Sequence, residues 1–265
     1  MRRRPLDLEL VRRGLAGTRS EARDAILRGS VLVAGRPAPK PGTLVDPAEA
    51  ISLAEPSRPY VSRGGEKLAA ALDRFGIDPA GRRCLDAGAS TGGFTDALLA
   101  RGAAHVTAVD VGYGQLAWSL RQDPRVTVME RTNVRDLEAG SIVPPDLAVA
   151  DLSFLSLTGV LPVLARVAAD DAELVLLVKP QFEADPAEVG QGGVVRDPEV
   201  WRRAIDEVAD ACRREGIGPL GVIPSPLPGP AGNVEFLLHA AKGLPAQPLD
   251  VDAAVAEGRA LRESA

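Results

Sequence analysis

The sequence predicts an α/β protein: a mostly parallel sheet flanked by helices, preceded by a small α+β module of about 55 residues. Three observations carry this. From residue 82 onward, short apolar runs alternate with stretches of helical length, the order that strand–helix–strand units require. The first 54 residues read differently, as two short helices followed by a few strand-like runs. Charge divides at the same place: residues 1–67 hold thirteen Lys or Arg against eight Asp or Glu, a net of +5, while the rest holds 18 against 28 within an overall −5.

In the front module, helices are expected over 6–13 and 21–28, the second opened by Thr18 and Glu21 at capping-box spacing and stopped by Gly29. Strands follow over 31–33 and 50–53, separated by a turn-rich stretch from Pro39 to Pro47. The module spans 1–55, and a linker with two prolines spans 56–65. A helix over 66–75 then opens the larger domain, 66–245. Its strands are expected at 84–85, 106–109, 126–129, 147–150, 174–178, 220–223 and 234–238, and its helices at 94–101, 116–121, 157–168 and 199–214. Residues 246–265 form a surface helix or tail.

Composition excludes several classes. Cys84 and Cys212 are far apart with no paired spacing, so neither a disulfide framework nor a zinc site is indicated, and no metal is expected. Charges interrupt the stretch after Met1-Arg2-Arg3-Arg4, and no window holds the ~18 uncharged apolar residues of a membrane span. A cytoplasmic protein without membrane contact is expected. The basic front suggests a polyanionic partner, since neutralised phosphates supply the sequence-independent part of nucleic-acid binding. Arg19, Arg23 and Arg28 fall near one side of the second helix, where phosphates can be met.

Chemistry is concentrated in the larger domain. Leu85-Asp86-Ala87-Gly88-Ala89-Ser90-Thr91-Gly92-Gly93-Phe94 places a Gly-rich turn after a strand and before a helix, where absent side chains let a ligand approach the backbone. Its glycine spacing is not that of dinucleotide folds. Asp110 ends the next strand 22 residues after Gly88, near the ~20 expected of a carboxylate that meets ribose hydroxyls. Asn133 and Val134 follow the third strand and suit an adenine edge and face. Asp151 also ends a strand, and Lys179 stands at the mouth of an apolar one, where desolvation sets it apart from a surface lysine.

The front module resembles the S4 RNA-binding domain in Leu6-Asp7, Leu10-Val11, Thr18-Arg19-Ser20 with Ala22, and Ile26-Leu27-Arg28-Gly29 with Val31, Val33 and Gly35. The Gly loop, Asp110, Asp151 and Lys179 resemble the Rossmann-like methyltransferases of the FtsJ type. More narrowly, the chain resembles the TlyA (hemolysin A) family of rRNA methyltransferases. That likeness rests on Val61-Ser62-Arg63-Gly64-Gly65 with Lys67, the Asp86 to Thr95 loop, Asp151-Leu152-Ser153-Phe154, Lys179-Pro180-Gln181-Phe182, and Gly229-Pro230 through Gly232-Asn233-Val234-Glu235.

The resemblance implies S-adenosylmethionine as cofactor and rRNA in ribosomal subunits as partner, with cytidine 2′-O-methylation of 16S and possibly 23S rRNA. It implies a catalytic tetrad, carried onto Lys67, Asp151, Lys179 and Glu235. For the cofactor it points to Asp86, Gly88, Ala89, Ser90, Gly92, Gly93, Phe94, Asp110, Asn133, Val134 and Asp151, and for RNA to Arg4, Arg19, Arg23, Arg28 and Arg63.

A ribose 2′-hydroxyl is a poor nucleophile until its proton leaves, so such a site needs a base and in-line alignment. Lys179 is the expected base. A lysine is ordinarily protonated at neutral pH, so burial and a second cation, Lys67, are needed to favour the amine. Asp151 would then orient Lys179, and Glu235 would hold Lys67 and the ribose. In the alternative, Asp151 begins proton removal and Lys179 stabilises the alkoxide. The rival functions are an RNA-binding protein with an inactive methyltransferase fold, a membrane-active haemolysin, and a pseudouridine synthase; the Gly loop and Asp110 count against the last.

Overall fold

The computed structural model describes residues 3–38, 40–54 and 59–263, which leaves the first residues of the expected linker outside the described residues. The front module begins with β1 (Arg4–Pro5), then α1 (Leu6–Arg12) and α2 (Arg19–Leu27). Next come β2 (Val31–Val33), β3 (Arg36–Pro37), β4 (Leu44–Val45) and β5 (Ile51–Leu53). β2 pairs antiparallel with β3 and β5, and β1 pairs with β4. Leu6, Leu10, Ala22, Ile26, Val31 and Val45 form a core of their own beneath the two helices. Thr18 caps α2 by accepting from Glu21 N at 3.1 Å, and the Glu21 carboxylate accepts from Gly17 N at 2.8 Å. Glu9 is fully buried, and hydrogen bonds from Arg12 and Arg13 hold its carboxyl down at about 2.

The larger domain runs α3 (Arg63–Phe75), β6 (Arg83–Ala87), α4 (Gly93–Ala100), β7 (His105–Val109), α5 (Trp118–Arg121), β8 (Val126–Met129) and β9 (Leu147–Ala150). It continues with α6 (Leu161–Val167), β10 (Glu173–Val178), α7 (Pro180–Glu183), α8 (Pro198–Arg214), β11 (Ile217–Pro224), β12 (Phe236–Lys242) and α9 (Val251–Glu263). The seven strands lie in the order β11-β12-β10-β9-β6-β7-β8, with β12 antiparallel to both neighbours and the other pairings parallel.

Apolar side chains alternate between the faces as a pleat demands. Leu174, Leu176 and Val178 of β10 join the core under α6 and α8, and Val175 and Leu177 join the core under α3 and α4. The chain moves outward from β6 to β8 and then returns to β9 on the other side of β6. That reversal opens a crevice at the carboxyl ends of β6 and β9, the place where open α/β sheets bind ligands.

Several expected boundaries shift; the strand expected over 220–223, for example, lengthens to β11 (Ile217–Pro224) through its pairing with β12. The linker placed over 56–65 is already helical from Arg63, and Val61 before it is buried, its N–H donating to Asp96 Oδ2 at 2.8 Å. The helix expected over 157–168 divides into a 3-10 turn, Leu157–Gly159, and α6, whose first turn holds Pro162, a residue without the N–H that would continue the ladder. The helix expected over 116–121 shortens to α5, because Ala117 stands as its N-cap with extended ψ of 139°, its N–H held by the Thr91 carbonyl at 3.1 Å. The strand expected over 234–238 starts at Phe236, which leaves Glu235 in the preceding loop.

Candidate functional site

Loop 88–93 between β6 and α4 forms the floor of the crevice, and close approaches account for its glycines. A Cβ on Gly88, whose φ is +88°, would collide with the Asp151 carbonyl oxygen. Gly92, at φ +97°, lies against Leu116 and Leu120, where a Cβ would come within 2.8 Å of the Leu116 methyl. A Cβ on Gly93 would meet Gly65 N at 2.8 Å, so loop and α3 touch through backbone.

Two adjoining cavities open above this floor. One, of about 390 Å³, is lined by Gly88, Ser90, Asp110, Asn133, Val134 and Asp151 among others. The second, of about 340 Å³, is lined by Arg63, Lys67, Gly88, Ala89, Ser90, Gly93, Phe94, Asp151, Lys179 and Glu235 together with Ser62 and Ser153. They share Gly88, Ser90, Asp151 and Ser153, so one elongated ligand can occupy both.

The second cavity collects the four residues of the expected tetrad. Lys179 Nζ, at the end of β10, lies 2.6 Å from Asp151 Oδ1 at the end of β9 and donates to Ser153 Oγ at 3.0 Å. Lys67 Nζ, on α3, lies 2.5 Å from Glu235 Oε2. The four thus form two separate ion pairs. Lys67, Lys179 and Glu235 are buried, whereas Asp151 keeps a partly open face. Glu235 is held from the 225–235 loop, where Ser225 N donates to its carbonyl at 2.8 Å. Buried Asn233 ties that loop to the 193–195 segment by accepting from Val195 N at 2.9 Å and donating to Gly193 O at 2.8 Å.

Several expected cofactor residues do structural work here. Asp110 accepts from Ser90 N at 2.8 Å and Gly112 N at 2.6 Å, one bond to each oxygen, so it braces the loop and has one lone pair per oxygen left for hydroxyl donors. Asn133 Oδ1 accepts from Arg135 N at 3.0 Å, which leaves its amide N–H groups for a ligand.

Asp86 lines neither cavity. It is fully buried and accepts from Thr95 N at 2.8 Å and Thr95 Oγ1 at 2.7 Å, while Oδ1 has no partner. Burial pushes its carboxyl up to about 7 against those hydrogen bonds, and the Asp151 charge adds to the rise. An acid raised in the folded state contributes fully below its unfolded value near 4 and loses that contribution as the pH climbs through about 7. Replacing Asp86 with Asn, which fixes a neutral side chain, is therefore expected to change Tm little at pH 4, below the window in which the contribution is lost. At pH 8 the variant should gain roughly 4 °C on the wild type, as 1–2 kcal/mol does in a domain of this size. Thermal denaturation at the two pH values checks this, and an equal offset at both would contradict it.

Two residues at the rim received no role from the sequence. Ser153 contacts Lys179, and Phe154 is 92% exposed at φ +62°, a backbone region costly for an aromatic residue. The Phe182 ring lies 5.2 Å from that of Phe154, and Lys179 Nζ lies 5.7 Å from the Phe182 ring. Glu183 steadies this rim by accepting from Ser156 Oγ at 2.5 Å and Leu157 N at 2.9 Å. The motif Asp151-Leu152-Ser153-Phe154 was the available signal, but neither exposure nor a positive φ can be read from it.

Comparison with known proteins agrees with this geometry. Residues 60–242 match the model of the FtsJ-like methyltransferases, and residues 4–51 match that of the S4 domain. A 16S/23S rRNA (cytidine-2′-O)-methyltransferase, TlyA of Mycobacterium tuberculosis, is 56% identical over 89% of each chain. The chain belongs to the TlyA (hemolysin A) family of FtsJ-like methyltransferases. Hemolysin A of Brachyspira hyodysenteriae, 38% identical over 85% of this chain and 95% of its own, is another relative. A solved structure from Streptococcus thermophilus, also bearing the hemolysin name, superposes with a TM-score of 0.77 at 37% identity, covering 100% of this chain and 98% of that one.

In this TlyA-family chain the arginines expected to meet RNA do not form one open row. Arg4 is exposed on β1. Arg19 donates to Asp7 Oδ2 of α1 at 2.8 Å, and Arg23 faces a cleft between the two domains. Arg28 follows α2 as its C-cap, and Arg63 lines the second cavity. The i, i+4 spacing of Arg19 and Arg23 places them on one side of α2, but Asp7 of α1 engages Arg19 and Arg23 lines the interdomain cleft.

Proposed function

We propose that this chain methylates the 2′-hydroxyl of a cytidine in ribosomal RNA, on 16S and possibly 23S rRNA within ribosomal subunits, with S-adenosylmethionine as donor, in the cytoplasm. The observation that carries the reading is the convergence of Lys67, Asp151, Lys179 and Glu235 on one cavity beside a glycine cradle. The donor fits what is present. The 390 Å³ cavity offers an amide edge at Asn133, an apolar face at Val134 and a carboxylate at Asp110, the recognition set for an adenosine. S-adenosylmethionine supplies a methyl group already activated on a sulfonium.

The chain supplies alignment and a proton acceptor. Lys179 Nζ takes the 2′ proton, and it must enter as the neutral amine. Its own proton therefore leaves through one of the two groups it touches, Asp151 or Ser153. Asp151 fixes the direction of Nζ, and the Lys67–Glu235 pair walls the far side, where the ribose would sit. The front module, with Arg4, Arg19, Arg23 and Arg28, and Arg63 at the cavity would meet phosphates.

Phe154 gives the reading a further expected result. An exposed aromatic face beside the reacting groups suits stacking with an unpaired base. Phe154→Ala is expected to raise KM for RNA about tenfold, within the 1–3 kcal/mol a stacked base is worth, with donor affinity unchanged. Steady-state kinetics with each substrate varied checks it; an unchanged RNA KM would remove Phe154 from the substrate site.

The decisive experiment treats unmodified ribosomal subunits with the pure protein and labelled donor, then maps the modified nucleotide by mass spectrometry. Label on a base, on protein or nowhere would overturn the reading. Although relatives carry the hemolysin name, no helix among the described residues is long and apolar enough to cross a membrane.

A further inference from the structure

Asp24 lies on α2 of the front module and is 7% exposed, buried against the larger domain. Its Oδ2 accepts from Ser119 N at 3.2 Å, and the Trp118 N–H also favours its charge. These are the first two amides of α5, and Ala117 at the start of that helix makes no side-chain cap bond of its own. A carboxylate from one domain thus caps a helix of the other. Burial pushes the Asp24 carboxyl up, and nearby Arg28 and Arg23 work against that rise.

The capped helix is attached to the donor loop. Ala117 N donates to the Thr91 carbonyl at 3.1 Å, and Leu116 and Leu120 pack into the space left by Gly92. Gln115, one residue earlier, approaches Ser90 Oγ at 3.4 Å. The interdomain cleft beside this contact, about 510 Å³, extends from Arg23 and Asp24 of α2 to Thr91 of the loop. A short path of direct contacts therefore runs from α2 to the floor of the donor cavity.

We propose that Asp24 is a positioning residue for the methyl donor: by capping α5 across the domain junction, it seats Leu116 and Leu120 beneath Gly92 and holds loop 88–93 in its donor-binding shape. The inference rests on the reading of that loop as the donor site. Without the cap, α5 loses two amide partners, the seated loop is less populated, and donor affinity falls by that population. Coupling is reciprocal, so bound donor tightens the contact between α2 and α5.

The test uses the full chain. Asp24→Ala is expected to raise the Kd and KM for S-adenosylmethionine about fivefold, about 1 kcal/mol and the usual value of a helix cap, with kcat at saturating donor within about twofold. Asp24→Asn, whose carbonyl is an equally good cap, should restore the wild-type Kd. An unchanged Kd in Asp24→Ala, whatever happens to its Tm, would overturn the proposal, and so would failure of the Asn variant to rescue. Should the Ala variant be too unstable to titrate, hydrogen exchange on the wild type decides: adding S-adenosylmethionine should slow the α2 amides as well as those of α5. Protection confined to the larger domain would overturn the proposal. A wild-type chain that does not bind S-adenosylmethionine at all would instead overturn the donor-site reading beneath it.

Discussion

Lys179→Ala is expected to lower kcat for RNA methylation by at least about 10³-fold, near the upper part of what a positioned acid or base contributes, while Kd for donor and RNA stay within about threefold. The separation follows from where the side chain lies. Lys179 lines the cavity that holds the tetrad and is absent from the lining of the neighbouring cavity with Asp110 and Asn133. Truncation removes the Asp151 and Ser153 partners of Nζ but leaves β10 and loop 88–93 untouched. Asp151 is not stranded, because part of its side chain already meets solvent. Turnover close to wild type would sink the assignment of Lys179.

Lys179→Arg divides the two chemical roles open to this lysine. Arginine keeps the positive charge but cannot accept a proton at neutral pH. If Lys179 takes the 2′ proton, the Arg variant should be as inactive as the Ala variant. Activity above a tenth of wild type would move proton removal to Asp151 and leave Lys179 to stabilise an alkoxide. Single-turnover rates with saturating donor and RNA read the chemical step directly.

How much of this was legible in the sequence depended on whether the cause was local. The strands at 126–129 and 147–150 are bounded as expected because apolar β-branched runs between turn residues need no distant partner to be recognised. The two-residue strands β1, β3 and β4 were not foreseen, since so short a pair has no period to read and exists only through its partner strand. The Gly88 to Gly93 loop stood out by composition, yet the reason Gly88 is required, contact with the Asp151 carbonyl, joins residues 63 positions apart.

The site shows the same division. Asp151 and Lys179 end adjacent strands, so parallel pairing of β9 with β10 brings them together. Nothing local pairs Lys67 with Glu235, which are 168 residues apart, and here family resemblance did what spacing cannot. Asp86 shows the opposite case. A carboxylate in a ligand loop reads as a ligand contact, but tertiary burial turned it toward Thr95 beneath the loop. Arg19 likewise reads as a free phosphate contact because α1, which supplies its Asp7 partner, cannot be docked from sequence periodicity.

Breaking the Lys67–Glu235 pair is expected to produce the largest loss of stability. The two charges are 6% and 1% exposed and lie 2.5 Å apart, so removing one leaves the other buried without its counter-ion. Such a truncation costs about 3–5 kcal/mol, a large part of the 5–15 kcal/mol that typically holds a protein folded. Glu235 is also confined sterically, since a Cβ on neighbouring Gly229 would strike its Oε1, and it has little freedom to swing toward water. Lys67→Met and Glu235→Leu should each, alone, lower Tm by roughly 10 °C, since either leaves its partner's charge buried. The double variant Lys67→Met with Glu235→Leu, apolar and of similar volume, should recover most of that loss, because desolvation of both charges disappears with the pair. It should nevertheless remain without measurable methylation, since both side chains line the cavity proposed for the reaction. Urea denaturation of the singles and the double, closed as a double-mutant cycle, gives the coupling, and activity of the refolded double tests the chemistry separately. Additive losses of stability would mean that the pair is not coupled, and an active double variant would remove both residues from the catalytic centre while leaving their structural role intact.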